Sequence, residues 1–322
     1  MYIPMLKKHL FTVLILSALI PLLASCGATN KEVGVKAEEH TGTMVVDHAN
    51  REVRFTEPPQ RIVSLVSGDM EIVHALGGDV VARPNVDEKT ISEELGKLPE
   101  IGNTHDVNFE KMLSLKPDLV IGHSGLNAKD VSTIESFGIE TILTNSKSYD
   151  VILETINMYG VILNKEREAE ALIQSLEQKK TQILANPLPN EVNALIIYGT
   201  TDTFMVALPS SLTGSLLEMA GGTNIAQQFP SIDGYPDYAQ MPLERIIKAN
   251  PDVIYFITHG EIDAVKERFA AELKANAAWE NVNAIKDDQL VFLPPALFSS
   301  NPGPRIGEAL EFIKNSLVEV SS

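Results

Sequence analysis

Beyond about residue 43 the chain alternates two apolar patterns. Short unbroken apolar runs read as strands buried on both faces. In the first half these are Arg61-Ile62-Val63-Ser64-Leu65, Leu119-Val120-Ile121 and Thr141-Ile142-Leu143; in the second they are 194–198, 253–257 and 290–293. Between them lie stretches of helical spacing, so parallel sheets flanked by helices are expected. Met44 to Phe55, turning near Ala49-Asn50, reads as a hairpin. Tyr149 to Ala185 is helical throughout, with a break expected near Asn164, which would cap a second helix over 165–185. Asn186-Pro187-Leu188-Pro189 then stops it. One helical connection between two lobes should permit tilting and resist wide hinge closure.

The pattern repeats. Residues 107–122 and 241–256 each carry a Glu (Glu110, Glu244) followed by a basic residue and placed seven positions before Pro-Asp (Pro117-Asp118, Pro251-Asp252). Each reads as a short amphipathic helix, a Pro-fixed turn and a buried strand. A second echo precedes each: 72–78 and 216–222 are apolar helix ends closed by Gly77-Gly78 and Gly221-Gly222, as left-handed caps require. Two echoes in the same order argue for two related α/β lobes.

The first 25 residues stand outside this pattern. Lys7-Lys8, an apolar stretch from Leu10 to Leu23 and the small residues before Cys26 read as an export signal. Leu23-Ala24-Ser25-Cys26 matches the bacterial lipoprotein signal, which makes Cys26 the lipidation site and membrane anchor. Removing the signal takes away two lysines and no acid. Residues 27–43 have no periodicity and read as a flexible tether. The boundaries expected are 1–25 signal peptide, 26–43 lipidated tether, 44–148 N-terminal lobe, 149–187 helical linker and 188–322 C-terminal lobe.

Composition narrows the chemistry. With 43 acidic against 26 basic residues the formal charge is −17, which argues against nucleic acid as a partner. One cysteine in 322 residues excludes a disulfide framework and cysteine-ligated zinc or iron–sulfur centres. There is no Gly-x-Ser-x-Gly, no phosphate-cradling Gly-rich loop and no cysteine nucleophile, so an enzyme, and a catalytic cofactor, are not expected.

Lipoprotein signal, tether, two echoed lobes and helical linker together resemble the substrate-binding proteins of bacterial ATP-driven importers of iron complexes (haem, ferric siderophores and cobalamin), over roughly residues 44–315. Asn276-Ala277-Ala278-Trp279 through Leu293 extends the match. The resemblance implies an α/β fold of the periplasmic-binding-protein type, with two Rossmann-like lobes joined by a single long helix and the ligand cleft between them. It implies that Glu110 and Glu244 dock into arginine pockets of a membrane permease, served by its ATPase. Near a helix N-terminus such carboxylates also gain ~0.3–1 kcal/mol from the dipole. A monomer on the outer face of the cell membrane is implied, in a Gram-positive bacterium.

Among seven histidines, His105, His123 and His259 are candidates for the cleft, because ligands of open α/β sheets sit beyond the carboxyl ends of strands. His74 reads as a core or edge residue. Segments 98–110, 258–266 and 200–225 resemble the haem-binding lipoproteins of the iron-regulated surface determinant system. That likeness puts His259 on the axial-histidine position and His105 where those proteins carry an axial methionine. It implies haem as the transported ligand, His105 and His259 as axial ligands, and an upstream haem donor protein. His259 with water or His123 is the other option. Bis-histidine ligation would lower the haem potential relative to His/Met. Tyr198, Phe204, Met205, Tyr235, Tyr238 and Phe298 are candidate walls, and Arg83 and Arg305 candidate propionate partners. A ferric-siderophore binder is the alternative; it would more typically show a cluster of cleft arginines or lysines.

Overall fold

The computed structural model describes residues 42–102, 104–200, 203–258 and 262–322. The signal, Cys26 and His259 lie outside the described residues.

β1 (Thr43–Val46) and β2 (Glu52–Phe55) pair antiparallel, with Asn50 in the left-handed region (φ 59°) at the turn. Asp47 accepts the N–H groups of Ala49 and Arg51, each at 2.9 Å, and that of Leu143 at 3.1 Å, which clips the hairpin to the first sheet. That sheet comes from β3 (Ile62–Ser64), α1 (Ser67–Ala75), β4 (Val80–Ala82), α2 (Glu93–Gly96), α3 (Phe109–Ser114), β5 (Leu119–His123), α4 (Val131–Glu135) and β6 (Glu140–Thr144). Its order is β4-β3-β5-β6, parallel throughout.

The connection is helical but folded. α5 (Tyr149–Leu163) ends at Asn164, a left-handed C-cap (φ 55°), and α6 (Glu166–Ile183) starts from Lys165. Asn164 therefore closes the first helix rather than opening the second. It is suited to that place because asparagine tolerates left-handed backbone better than other non-glycine residues. The 18 residues of α6 span about 27 Å.

The second sheet follows: β7 (Asn193–Gly199), β8 (Phe204–Ala207), α7 (Leu212–Met219), β9 (Thr223–Asn224), β10 (Ser231–Ile232), β11 (Tyr235–Ala239), α8 (Leu243–Ala249), β12 (Val253–Thr258), α9 (Ile262–Ala275), α10 (Asn283–Lys286), β13 (Leu290–Phe292), α11 (Pro295–Phe298) and α12 (Ile306–Val320). β9, β7, β12 and β13 pair in parallel and reproduce β4-β3-β5-β6. The repeat is thus structural, with one addition. β8, β11 and β10 pair antiparallel along the outer edge of β7 and form a wing that the first sheet lacks.

The repeated residues hold equivalent posts. Lys116 and Asn250, each just before Pro-Asp, are both left-handed (φ 51° and 46°). Asp118 then accepts the N–H groups of Gln60 (2.7 Å) and Arg61 (2.9 Å), and Asp252 accepts that of Asn193 (2.9 Å). In each lobe the Pro-Asp carboxylate fastens the start of the neighbouring central strand. Gly77 (φ 79°) and Gly221 (φ 97°) close α1 and α7 as expected.

Strand residues alternate between two faces. Ile62, Leu119, Ile121 and Ile142 of the first sheet, and Ala194, Ile196, Val253, Tyr255 and Ile257 of the second, enter one shared core with α1, α5, α7 and α12. The opposite faces enter separate cores: Val63 and Val120 with Met112 and Ile134 in one lobe, and Leu195, Ile197, Ile254 and Phe256 with Phe269 and Trp279 in the other. The lobes are therefore joined by buried apolar surface as well as by the linker. The return segment to α12 adds to the joint. A Cβ on Gly68 would fall 2.1 Å from the carbonyl oxygen of Asn301, so only glycine permits that approach.

Candidate functional site

The carboxyl ends of the parallel strands from both sheets open into one cavity of about 1160 Å³. His123 ends β5, residues 145–147 follow β6, Tyr198 lies near the end of β7 and Thr258 ends β12; all line it. The N-terminal lobe adds Asn85, Asp87, Thr90 and His105 from the long segment between β4 and α3. The equivalent segment of the second lobe, between β9 and α8, adds Tyr235, Asp237 and Tyr238 from β11, and β8 of the same wing adds Met205. Beneath lies a 190 Å³ alcove, where Thr144, Ser146, Ser211, Thr213 and Asn301 meet His123 and Tyr238.

The aromatic wall is built on β7 and β11. The Tyr198 and Tyr238 rings meet edge to face at 5.3 Å, a favoured arrangement. Burial pushes the Tyr238 phenol up to about 12 and that of Tyr198 upward, with Tyr235 adding to the latter, so these rings serve as neutral, hydrogen-bonding walls at physiological pH. Tyr235 is 55% exposed at the mouth. The cavity's described charges nearly balance: Lys147 and Lys266 against Asp87, Asp237 and Asp263. Thr258 Oγ1, buried on the wall, has no hydrogen-bond partner among the described residues.

His123 is fixed by its loop. Its backbone N–H donates to Asn127 Oδ1 (3.0 Å), and its Nδ1 accepts the N–H of Gly125 (3.1 Å). Buried Asn127 also donates to the Thr104 carbonyl (2.9 Å), tying the His123 loop to the one carrying His105. Burial lowers the His123 pKa; Asp237, from the other lobe, pulls the other way, and His105 lowers it further.

The remaining expectations sort by location. His105, Tyr198, Met205, Tyr235 and Tyr238 line the cavity beside His123. Phe298 reaches only the alcove and packs on Phe312 at 5.9 Å. Phe204 turns into the outer core, 5.6 Å from Phe269 and under Arg268. Arg83 is no cavity cation: it is 3% exposed, pairs with Glu88 and Glu100 at 2.9 Å each and donates to the Gly96 carbonyl. A buried guanidinium is retained only with such partners, and they consume its donors. Arg305 likewise faces away, donating to the carbonyls of Thr90 (2.9 Å) and Ala296 (2.6 Å) and bridging the lobes. Lys147, Lys266 and the alcove hydroxyls were missed, since Ser, Thr and Lys carry no pattern that separates a cleft from any surface. His74 sits at an edge, its Nε2 3.1 Å from Glu94. Glu110 and Glu244 are both exposed in the first turns of α3 and α8.

Among the described residues no group of three or more His, Cys, Asp or Glu converges on a metal site, and no helix is long and apolar enough to cross a membrane.

Comparison with known proteins agrees with this architecture. The chain is 28% identical to the uncharacterized ABC transporter substrate-binding lipoprotein YvrC of Bacillus subtilis, over 97% of each chain. It is 25% identical to the Fe(3+)-citrate-binding protein YfmC of the same organism, over 87% of each. It matches the apo structure of the periplasmic heme-binding protein RhuT from Roseiflexus with a TM-score of 0.69 and 26% identity, covering 82% of this chain and 99% of that one. Residues 62–297, taking in both sheets and the cavity between them, match the model of the periplasmic binding protein family. The chain belongs to that family: it is a solute-binding protein of an ABC transporter, working with a membrane permease and its ATPase, and not an enzyme.

Proposed function

We propose that this protein captures haem outside the cytoplasm and delivers it to an ABC importer for iron acquisition. The observation that carries the reading is the cavity: large, nearly charge-balanced, walled by Tyr198, Tyr235, Tyr238 and Met205, with His105 on its rim. Aromatic and apolar side chains for the ring, beside polar groups for its carboxylates, suit a porphyrin, and imidazole is a good ligand for its iron. RhuT, whose fold this chain shares, is a haem-binding protein by name. In this reading His105 and His259, one from each lobe, ligate the iron. The cavity lysines Lys147 and Lys266, rather than Arg83 and Arg305, face the propionates. Cys26 carries the lipid anchor on the outer face of the membrane, as the lipoprotein YvrC suggests. Glu110 and Glu244 engage the permease.

Absorbance titration with hemin tests the ligand. A red-shifted Soret band that saturates at one equivalent and is lost in a His105→Ala/His259→Ala double variant is the expected result. No band shift, or one the double variant leaves intact, overturns it. The second reading is a ferric-siderophore binder, favoured by the ferric-citrate relative and by Lys147 and Lys266. The three aspartates in the same cavity weigh against a polyanionic complex.

A further inference from the structure

His123 sits where a metal ligand could sit, yet its surroundings set the opposite chemistry. A neutral imidazole has one N–H and one lone pair. The backbone N–H of Gly125 donates to Nδ1 at 3.1 Å, so the lone pair is on Nδ1 and the hydrogen is on Nε2. Ligation through Nε2 would move the hydrogen to Nδ1 and point it at the Gly125 N–H, leaving two donors face to face. A metal-bound histidine normally has an acceptor behind it, not a donor. The backbone on both sides of this contact is held in place. Leu126 and Asn127 N–H groups donate to the His123 carbonyl (3.1 and 2.8 Å), Asn127 Oδ1 accepts the His123 N–H, and Asn127 Nδ2 fastens the loop to Thr104. The side chain borders both the main cavity and the alcove, and Asp237 of the opposite lobe lines the same cavity.

We infer that His123 faces the cleft as an Nε2–H donor that positions the iron complex by a hydrogen bond to an acceptor on its periphery, without ligating the metal. The identity of that acceptor as a haem carboxylate rests on the reading above; the donor role does not. A hydrogen bond to a charged acceptor is worth roughly tenfold in affinity or more.

Two measurements decide the matter. Long-range nitrogen–proton NMR of the ligand-free protein should show His123 with Nδ1 unprotonated and Nε2 protonated; the reverse tautomer overturns the proposal. Hemin and hemin dimethyl ester, whose carboxylates are masked, are then titrated into wild type, His123→Ala and His123→Gln. The expected result is about tenfold weaker hemin binding by His123→Ala with unmoved absorption bands, recovery in His123→Gln (whose amide can donate from the same place), and little effect of either variant on the ester. Moved bands in His123→Ala, or equal losses for hemin and ester, overturn the proposal. If no variant or wild type takes hemin, the haem reading falls and the NMR result alone judges the donor.

Discussion

Asp69 is fully buried at the start of α1, beneath the alcove. Thr144 donates to one of its oxygens and Asn301 Nδ2 to the other at 3.0 Å; the same Nδ2 reaches Ser146 Oγ at 2.8 Å. Burial dominates these bonds and raises the carboxyl from 3.8 to about 6. A carboxyl whose folded pKa is raised binds a proton that the unfolded chain has released. Its contribution is therefore most favourable below pH 3.8, is lost as pH rises to about 6, and is flat above that. The loss is up to about 3 kcal/mol. Asp69→Asn should be more stable than wild type at pH 7.5 and near parity at pH 4, because its amide can accept from Asn301 and donate to Thr144. Urea titrations at both pH values measure this; a gain that does not depend on pH would disprove it. Residue-scale chemistry of this kind was hidden in the sequence. His105, His123 and Tyr198 could be found because they sit near strand ends or in the loops beyond them. Asp69 acts through partners 75 and 232 residues away, and Asn127 ties its own loop to Thr104, 23 residues back, so nothing local marks either role. Arg83, Arg305 and Phe204 were placed wrongly for the converse reason: sequence shows that a long side chain can reach a cleft, not that carbonyls or a neighbouring ring hold it elsewhere.

At the scale of elements, the Glu-to-Pro-Asp unit sets two carboxylates to different uses within nine residues. Its carboxylates face opposite duties: Asp118 and Asp252 tie strands, while Glu110 and Glu244 stay exposed and, among the described residues, form no ion pair. The two can be separated by mutation. Asp118→Ala should lower unfolding stability by about 1–2 kcal/mol, since two backbone donors lose their acceptor at a partly solvated site. Glu110→Ala and Glu244→Ala should leave stability and ligand affinity unchanged and abolish uptake in whole cells. Loss of affinity in either glutamate variant would refute the docking role. The parallel strands were legible because they are continuous apolar runs flanked by turns. The wing was not: β10 is two residues long and β11 carries Pro236 and Asp237, so neither length nor alternation announces a strand.

For the whole molecule, the expectation of a joint that tilts without wide closure gains a second cause in the shared core and the Asn301–Arg305 return across α1. Gly68 is the point of closest approach. Gly68→Ala forces the Asn301 carbonyl to retreat, which for an overpacked site costs about 1–3 kcal/mol. The expected signature is a lowered unfolding midpoint together with faster amide exchange at Asn301–Arg305 in the ligand-free protein. Unchanged exchange there would mean that the lobes are not held at this contact.

The wing carries a different consequence. It meets the parallel framework through one short register, Phe204, Met205 and Val206 of β8 opposite Gly199, Tyr198 and Ile197 of β7, and within the wing β11 pairs β8 only at Tyr238 and Ala239. The framework sets the spacing of Glu110 and Glu244, whereas the wing supplies Met205 and residues 234–238 to one wall of the cavity. Substitutions within residues 204–239 can therefore reshape that part of the cavity while the parallel strand order that positions α3 and α8 stays as it is.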